Sequence, residues 1–268
     1  MKKLTLFVVA ALLLSLAGCA PSALNPTLKA NPVSDFNYYL NEEKQCINIT
    51  GYVGESANVV IPAYIEDLPV RFIGIGSFAG TSVETVVLPD TVEEIWDDAF
   101  RGCKSLRTIQ FSSNLKEIGY RAFEKCTSLE QAILPNGLET IETHAFSYCS
   151  ALREVIIPGT IKYSGEEIFL RCNSIEKVTF EQGLEVIGKR AMFTSEKIKT
   201  LVIPSSVKEI KPDTFGFLKL DSITFLGDAP IVGKDEFLCC PSNFTIYYDP
   251  NTSGWDNTPL SQYNLLAK

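Results

Sequence analysis

Four cysteines, Cys103, Cys126, Cys149 and Cys172, follow one another at intervals of 23 residues. A thiolate ligates metals, attacks electrophiles and exchanges with disulfides, so a regular run of them raises each chemistry in turn. The surroundings repeat as well: AFRGCKSL, AFEKCTSL, AFSYCSAL and IFLRCNSI. Residues with a fixed period belong to a repeat, and stacked repeats set equivalent side chains along a line. With ~4.8 Å between windings the outer two thiols stand ~15 Å apart. A zinc ion needs its sulfurs ~2.3 Å away on all sides, which a straight line does not supply. Parallel neighbours also hold their Cβ atoms ~5 Å apart, wider than the roughly 3.5–4.5 Å of a disulfide. The spacing therefore predicts a column of small buried hydrophobes.

The other reactive residues are sparse. Cys46, Cys239 and Cys240 lie outside the column, and an oxidising compartment would permit one bridge among them. His144 is the single histidine. It occupies the polar column Asp98, Arg121, His144, Glu167, Arg190 and Asp213, which reads as solvent-facing. One histidine makes neither a Ser-His-Asp triad nor a histidine-rich metal site. A Cys149–His144 dyad conflicts with Cys149 belonging to the buried column. DPNTSGWDNTPL, residues 249–260, opens like a calcium loop with Asp249, Asn251, Ser253 and Gly254 in place. Leu260 stands where a glutamate is needed, so a polar turn is expected. No metal, no cofactor and no convergent acid, base and nucleophile are expected, and the reading is not an enzyme.

Four apolar columns share the period. One is Ile95, Ile118, Ile141, Ser164, Ile187 and Ile210; the aromatic one is Phe100, Phe123, Phe146, Phe169, Met192 and Phe215. Leu106, Leu129, Leu152, Ile175 and Ile198 form the third. Ile109, Ala132, Val155, Val178 and Leu201 form the fourth, followed by Pro89, Pro135, Pro158 and Pro204. The alternation Thr108-Ile109-Gln110-Phe111 predicts a strand with Ile109 and Phe111 inward. A second short strand is expected over 115–118, and a tight turn at A-F-x-x-C. Each winding carries too few apolar residues to fold alone, so windings are stable only when stacked. The fold class is a mainly β or α/β solenoid, a right-handed coil of about seven 23-residue repeats over 73–226. Residues 36–72 break the period and read as a β-hairpin cap with turns at 41–43 and 54–56. Residues 227–268 read as an irregular cap with one strand and a short helix begun by Thr258 and Pro259.

The chain opens MKKLTLFVVAALLLSLAGCA, two lysines followed by an apolar run too short to span a bilayer but suited to an export signal. Leu16-Ala17-Gly18-Cys19 resembles a bacterial lipobox, which implies cleavage after residue 18 and acylation of Cys19. Residues 19–35 then read as a lipidated flexible tether. Removing residues 1–18 takes away two lysines and no acid, leaving 22 basic against 32 acidic residues, a net charge of −10. That sign disfavours nucleic acid.

The coils x-I-x-x-x-A-F-x-x-C-x-x-L-x-x-I-x-x-P, the entry Leu68-Pro69-Val70 and the terminal Ile246-Tyr247-Tyr248 together resemble the BspA-like, Treponema pallidum-type leucine-rich-repeat lipoproteins. The resemblance covers roughly 36–250. It implies a non-enzymatic protein of the cell envelope, at the outer membrane or cell surface, with adhesion to host matrix or other bacterial surface proteins as its role. A glycan-binding or scaffold component of an envelope polysaccharide-handling assembly is the alternative. Solenoids bind through exposed sheets, so the candidate face is Thr108, Gln110, Gln131, Ile133, Glu154, Ile156, Lys177, Thr179, Thr200 and Val202. These columns carry no aromatic residue, which argues against a sugar-stacking platform there. A separate column alternates in sign, Glu93, Lys116, Glu139, Lys162, Glu185 and Lys208, and predicts an exposed ion-pair ladder that holds register.

Overall fold

The structure, a computed structural model, describes residues 29–192, 194–233 and 236–268. The signal segment 1–18, Cys19 and the first part of the expected tether lie outside the described residues. The remainder is a mainly β solenoid of about nine turns. The central turns each contribute a longer strand, a two-residue strand and a tight turn.

The longer strands pair in parallel in three blocks. Asn58–Val60, Thr85–Val87 and Thr108–Gln110 form the first; Gln131–Ile133, Glu154–Ile157 and Lys177–Phe180 the second. The third is Thr200–Ile203, Ser222–Phe225, Thr245–Tyr248 and Asn264–Ala267. Prolines such as Pro89 and Pro135 follow these strands because a residue without an N–H stops a ladder. The two-residue strands Glu94–Ile95, Glu117–Ile118, Thr140–Ile141 and Tyr163–Ser164 extend the sheet begun by Phe36–Asn41, Cys46–Tyr52 and Leu68–Ile73.

The A-F-x-x-C turn is not a helix. Asp98, Arg121, His144, Glu167, Arg190 and Asp213 all have φ between 52° and 61°. A second left-handed residue follows four positions later, as at Gly102, Lys125 and Tyr148. The backbone consequence is a third inter-coil ladder. The N–H groups of Asp98, Phe100 and Gly102 donate along the axis to the carbonyls of Tyr120, Ala122 and Glu124 at 2.9, 2.7 and 2.7 Å. Those of Ala99, Arg101 and Cys103 donate within their own turn. The polar column is therefore set by the αL backbone, which Asp and His tolerate better than branched residues.

The aromatic column is a continuous ring stack. Phe78, Phe100, Phe123, Phe146 and Phe169 follow one another at centroid distances of 4.9, 5.1, 4.9 and 5.5 Å. All five are fully buried. Ser164 interrupts the isoleucine column, and there the structure has a cavity of about 20 Å³ lined by Ile141, Ile187 and Phe169 among others. The short-strand sheet breaks at the same point, ending at Tyr163–Ser164 and restarting at Val186–Ile187.

The column cysteines are buried and free, as geometry required. They also have a role that their spacing does not disclose. Each thiol donates to the carbonyl of the ring-stack phenylalanine one winding earlier: Cys103 to Phe78 at 3.0 Å, Cys126 to Phe100 at 3.1 Å, Cys149 to Phe123 at 3.2 Å and Cys172 to Phe146 at 3.1 Å. Burial pushes the Cys126 and Cys149 thiols up from their ordinary range. In the native protein a soluble maleimide should label exposed Cys239 fast and the four column thiols only after denaturation. Fast native modification of Cys126 or Cys149, followed by mass spectrometry of the peptides, would refute this. Ser195 holds the same column position, fully buried, with its Oγ unpartnered. Ser195→Cys should raise stability by ~1–2 kcal/mol in a denaturant titration, since an orphaned polar atom is replaced by a longer donor.

Both ends depart from the expected boundaries. Residues 31–35 are exposed or half-buried but hydrogen-bonded to the first coil: Asn31 donates from its N–H to the Val60 carbonyl and accepts from the Val60 N–H through Oδ1, both at 2.9 Å. The hairpin is present as Phe36–Asn41 against Cys46–Tyr52, but Asn58–Val60 and Leu68–Ile73 already belong to the coils. At the other end Thr258 Oγ1 accepts from Leu260 N–H and Pro259 opens a short 3-10 turn, as expected. The one strand expected there, Thr245–Tyr248, continues the long-strand sheet, and a further rung, Asn264–Ala267, extends it through the part expected to be irregular.

Candidate functional site

The ten face residues are carried by five successive long strands, with their inward neighbours Ile109, Ala132, Val155, Val178 and Leu201 in the core or packed against it. Registry is direct: Gln131 opposes Glu154, which opposes Lys177, and Ile133 opposes Ile156, which opposes Thr179. Thr108 and Gln110 sit in the preceding block, Thr200 and Val202 in the following one. A backbone bond from Glu130 N–H to the Arg107 carbonyl at 3.2 Å links the first two blocks. The residues therefore share one surface without converging on a pocket.

Chemically the face is nearly neutral. Lys177 and Glu154 cancel one another in an ion pair at 2.5 Å. Ile133 and Ile156 remain half-exposed as an apolar step, and Val202 is 52 % exposed. The face also extends further than the sequence columns did. Thr224 opposes Tyr247, and Tyr247 opposes Leu266, which is 45 % exposed. The column expected to lack aromatics thus ends in Tyr247, with Lys268 Nζ 4.8 Å from its ring centroid. Ile246-Tyr247-Tyr248 is visible in the sequence as an alternating stretch. Tyr247 stands 23 residues after Thr224, whereas the neighbouring spacings are 22 at Thr200–Ser222 and 19 at Thr245–Asn264, so the rung whose alignment the period hides is the last one.

The remaining candidates have structural roles. His144 Nδ1 lies 3.1 Å from Ser147 Oγ and 3.6 Å from Glu167, while Cys149 is turned inward to Phe123, so the two form no dyad. Asp249 Oδ1 accepts from the backbone and side chain of Asn251, both at 2.9 Å, which makes 249–254 a turn. Among the described residues no group of three His, Cys, Asp or Glu is placed to hold a metal. The ion-pair ladder is partly formed: Lys116 and Lys162 both meet Glu139, at 3.8 and 2.5 Å, and Lys208 meets Glu185 at 2.6 Å. No pair joins Lys162 to Glu185, across the break at Ser164. Nor does the Lys116 ammonium meet Glu93, which pairs with Arg71 at 3.3 Å; exposed pairs contribute little to stability, so the two missing rungs cost little.

A parallel solenoid with a neutral outward sheet defines the class of protein-binding repeat scaffolds. The BspA type leucine rich repeat region model matches in six copies over residues 71–195 and 189–258, and the chain belongs to this family. It is similar to the crystal structure of a Treponema pallidum leucine rich repeat protein, at 28% identity and a TM-score of 0.61, over 74% of this chain and 87% of that one. It also resembles a leucine-rich repeat protein from Bacteroides ovatus, at 20% identity and a TM-score of 0.60, over 82% of this chain and 71% of that one. No curated protein matches the chain.

Proposed function

We propose that the protein is a lipid-anchored component of the cell envelope, held by an acylated Cys19, that binds a host matrix or bacterial surface protein through its outward sheet. The observation that supports this most is the Ile133–Ile156 step on an otherwise neutral face. An apolar centre within a polar rim is the anatomy of a protein interface. Flatness favours an extended protein contact over a small ligand, and a repeat scaffold supplies such area at little cost in ordering on binding. The lipobox supports the anchor, and a multiply acylated cysteine would make it effectively permanent.

The test is a pull-down against matrix proteins and bacterial surface extracts with the intact chain and the Ile133→Lys/Ile156→Lys double variant. Burying two lysines against a partner should weaken binding at least about a hundredfold. Both positions face outward, so thermal unfolding should shift by only a few degrees. Unchanged binding by the double variant would remove the sheet face from the account. Protease shaving of intact cells should release peptides of 36–268; a fully protected chain would place it on the inner side of the envelope.

A further inference from the structure

A local cluster of cations lies on the turn edge of a chain whose net charge is −8. Glu124, nearly buried, is shared by three cations: Arg101 at 2.7 Å, Lys125 at 3.6 Å and Arg121 at 3.9 Å. One winding on, Tyr148 is 37 % exposed. Lys125 Nζ lies 5.9 Å from its ring centroid on one side, and Arg171 Cζ 5.8 Å on the other. Arg171 is exposed and has no carboxylate partner among the described residues. Beside it opens a cleft of about 450 Å³ lined by Arg171, Asn173, Thr194, Glu196 and Lys197. The other charged groups of that cleft are already matched, Glu196 with Lys219 at 2.7 Å and Lys197 with Glu176 at 3.4 Å. Thr194 donates its hydroxyl to Asn173 Oδ1 at 3.3 Å, which leaves the Asn173 amide nitrogen available as a donor.

We propose that this edge, from Lys125 past Tyr148 and Arg171 into the Asn173–Thr194 cleft, is a second binding site and takes an acidic polysaccharide. Lys125 and Arg171 belong to windings two apart, so their backbones lie about 10 Å from each other with an aromatic ring between them. A sugar chain bearing an acid on each ring places the acids of alternate rings at comparable intervals, with the intervening ring between them. The C–H face of that ring packs against the exposed edge of Tyr148, the acids meet the guanidinium and the ammonium, and hydroxyls meet the amide and hydroxyl of the cleft. An acidic peptide spaces its residues at ~3.3 Å and has no flat apolar face to offer the tyrosine. The chain's acid excess lies elsewhere, for example at Glu94, Glu117, Glu142 and Asp97; there burial, reinforced by the neighbouring carboxylates, raises the Glu117 carboxyl above its ordinary range. Binding is therefore weak and salt-sensitive, a local attraction inside an overall repulsion. The site is independent of the sheet face.

The probes are polygalacturonate (a carboxylated chain), dextran sulfate, neutral dextran and poly-glutamate, titrated into the purified chain at low salt and again at ~0.3 M, where charges more than several ångströms apart are screened. Saturable binding to an acidic polysaccharide, lost at high salt and absent for dextran, is expected. Lys125→Ala/Arg171→Ala should weaken it about tenfold or more, and Tyr148→Ala by at least about threefold, with unchanged circular dichroism. No binding to either acidic polysaccharide at low salt would overturn the proposal, as would unchanged affinity in the double variant. Poly-glutamate binding as tight as polygalacturonate would reassign the site to acidic peptides, overturning the saccharide reading.

Discussion

Phe123→Ala should destabilise the protein by about 3–5 kcal/mol, the range for removing a buried aromatic ring from a packed core. Phe123 is fully buried and stacks between Phe100 at 5.1 Å and Phe146 at 4.9 Å, with Phe111 edge-on at 5.8 Å. The hole would open in the middle of the ring column, with windings on both sides that hydrogen-bond directly to this one. Repeat proteins owe their cooperativity to such nearest-neighbour interfaces. The variant should therefore unfold at lower denaturant and with a smaller m-value or a split transition, as the two halves uncouple. A loss below ~1 kcal/mol with an unchanged m-value would show that the stack is not what joins the windings. An exposed control, Thr200→Ala, should stay within ~0.5 kcal/mol.

The second large effect is on pH. Glu236 is 3 % exposed, and its Oε1 accepts from the Phe215 N–H at 2.6 Å. In earlier windings that partner is a backbone carbonyl, as when Phe123 donates to Ala145 and Phe146 to Ile168. The carboxyl thus stands in for a missing piece of backbone. Burial raises its pKa to about 7, offset in part by backbone hydrogen bonds from Phe215, Asp213 and Thr214 and reinforced only by the charge of the Asp213 carboxylate. The native state therefore holds a proton that the unfolded chain, with an ordinary carboxyl near 4.5, releases. Stability is full below pH 4.5, falls as pH rises toward 7, and levels off above it. The loss is on the order of 3 kcal/mol, because each tenfold difference in proton affinity between the two states is worth ~1.4 kcal/mol. Glu236→Gln keeps an acceptor for Phe215 and cannot ionise. It should flatten the decline between pH 4.5 and 7 and be the more stable protein at pH 8. The same slope in both proteins would contradict this account of Glu236.

The stacking of the windings is legible in the sequence because the period is carried by residues whose burial is compulsory. Phenylalanine, leucine and isoleucine in columns admit one arrangement in which none faces water, and the ring distances follow from it. The cysteines are half legible. Spacing excludes a metal and a disulfide, but does not disclose that each thiol donates to a carbonyl. A hydrogen bond to backbone leaves no mark in residue type. The polar column of Asp98 and His144 signals exposure in the sequence, whereas its cause is a positive φ. Register of the last rung, Asn264–Ala267, is hidden because that coil shortens to 19 residues, whereas Tyr247 keeps the 23-residue period from Thr224. Residues 31–35 look like tether because composition records low hydrophobicity and says nothing about a single asparagine that pairs with a strand edge.

Everything on the outward face, and the charge pattern on the turn edge, depends on successive windings lying in register. Spin labels at pairs of face positions measure this directly by dipolar spectroscopy: Thr108 with Thr179, then Thr108 with Val202, on otherwise native protein. In-register stacking predicts narrow distributions centred near ~15 and ~20 Å, growing by one strand spacing per winding. Broad distributions, or distances that do not lengthen by about 5 Å between the two pairs, would contradict the stacked coil on which both binding surfaces rest.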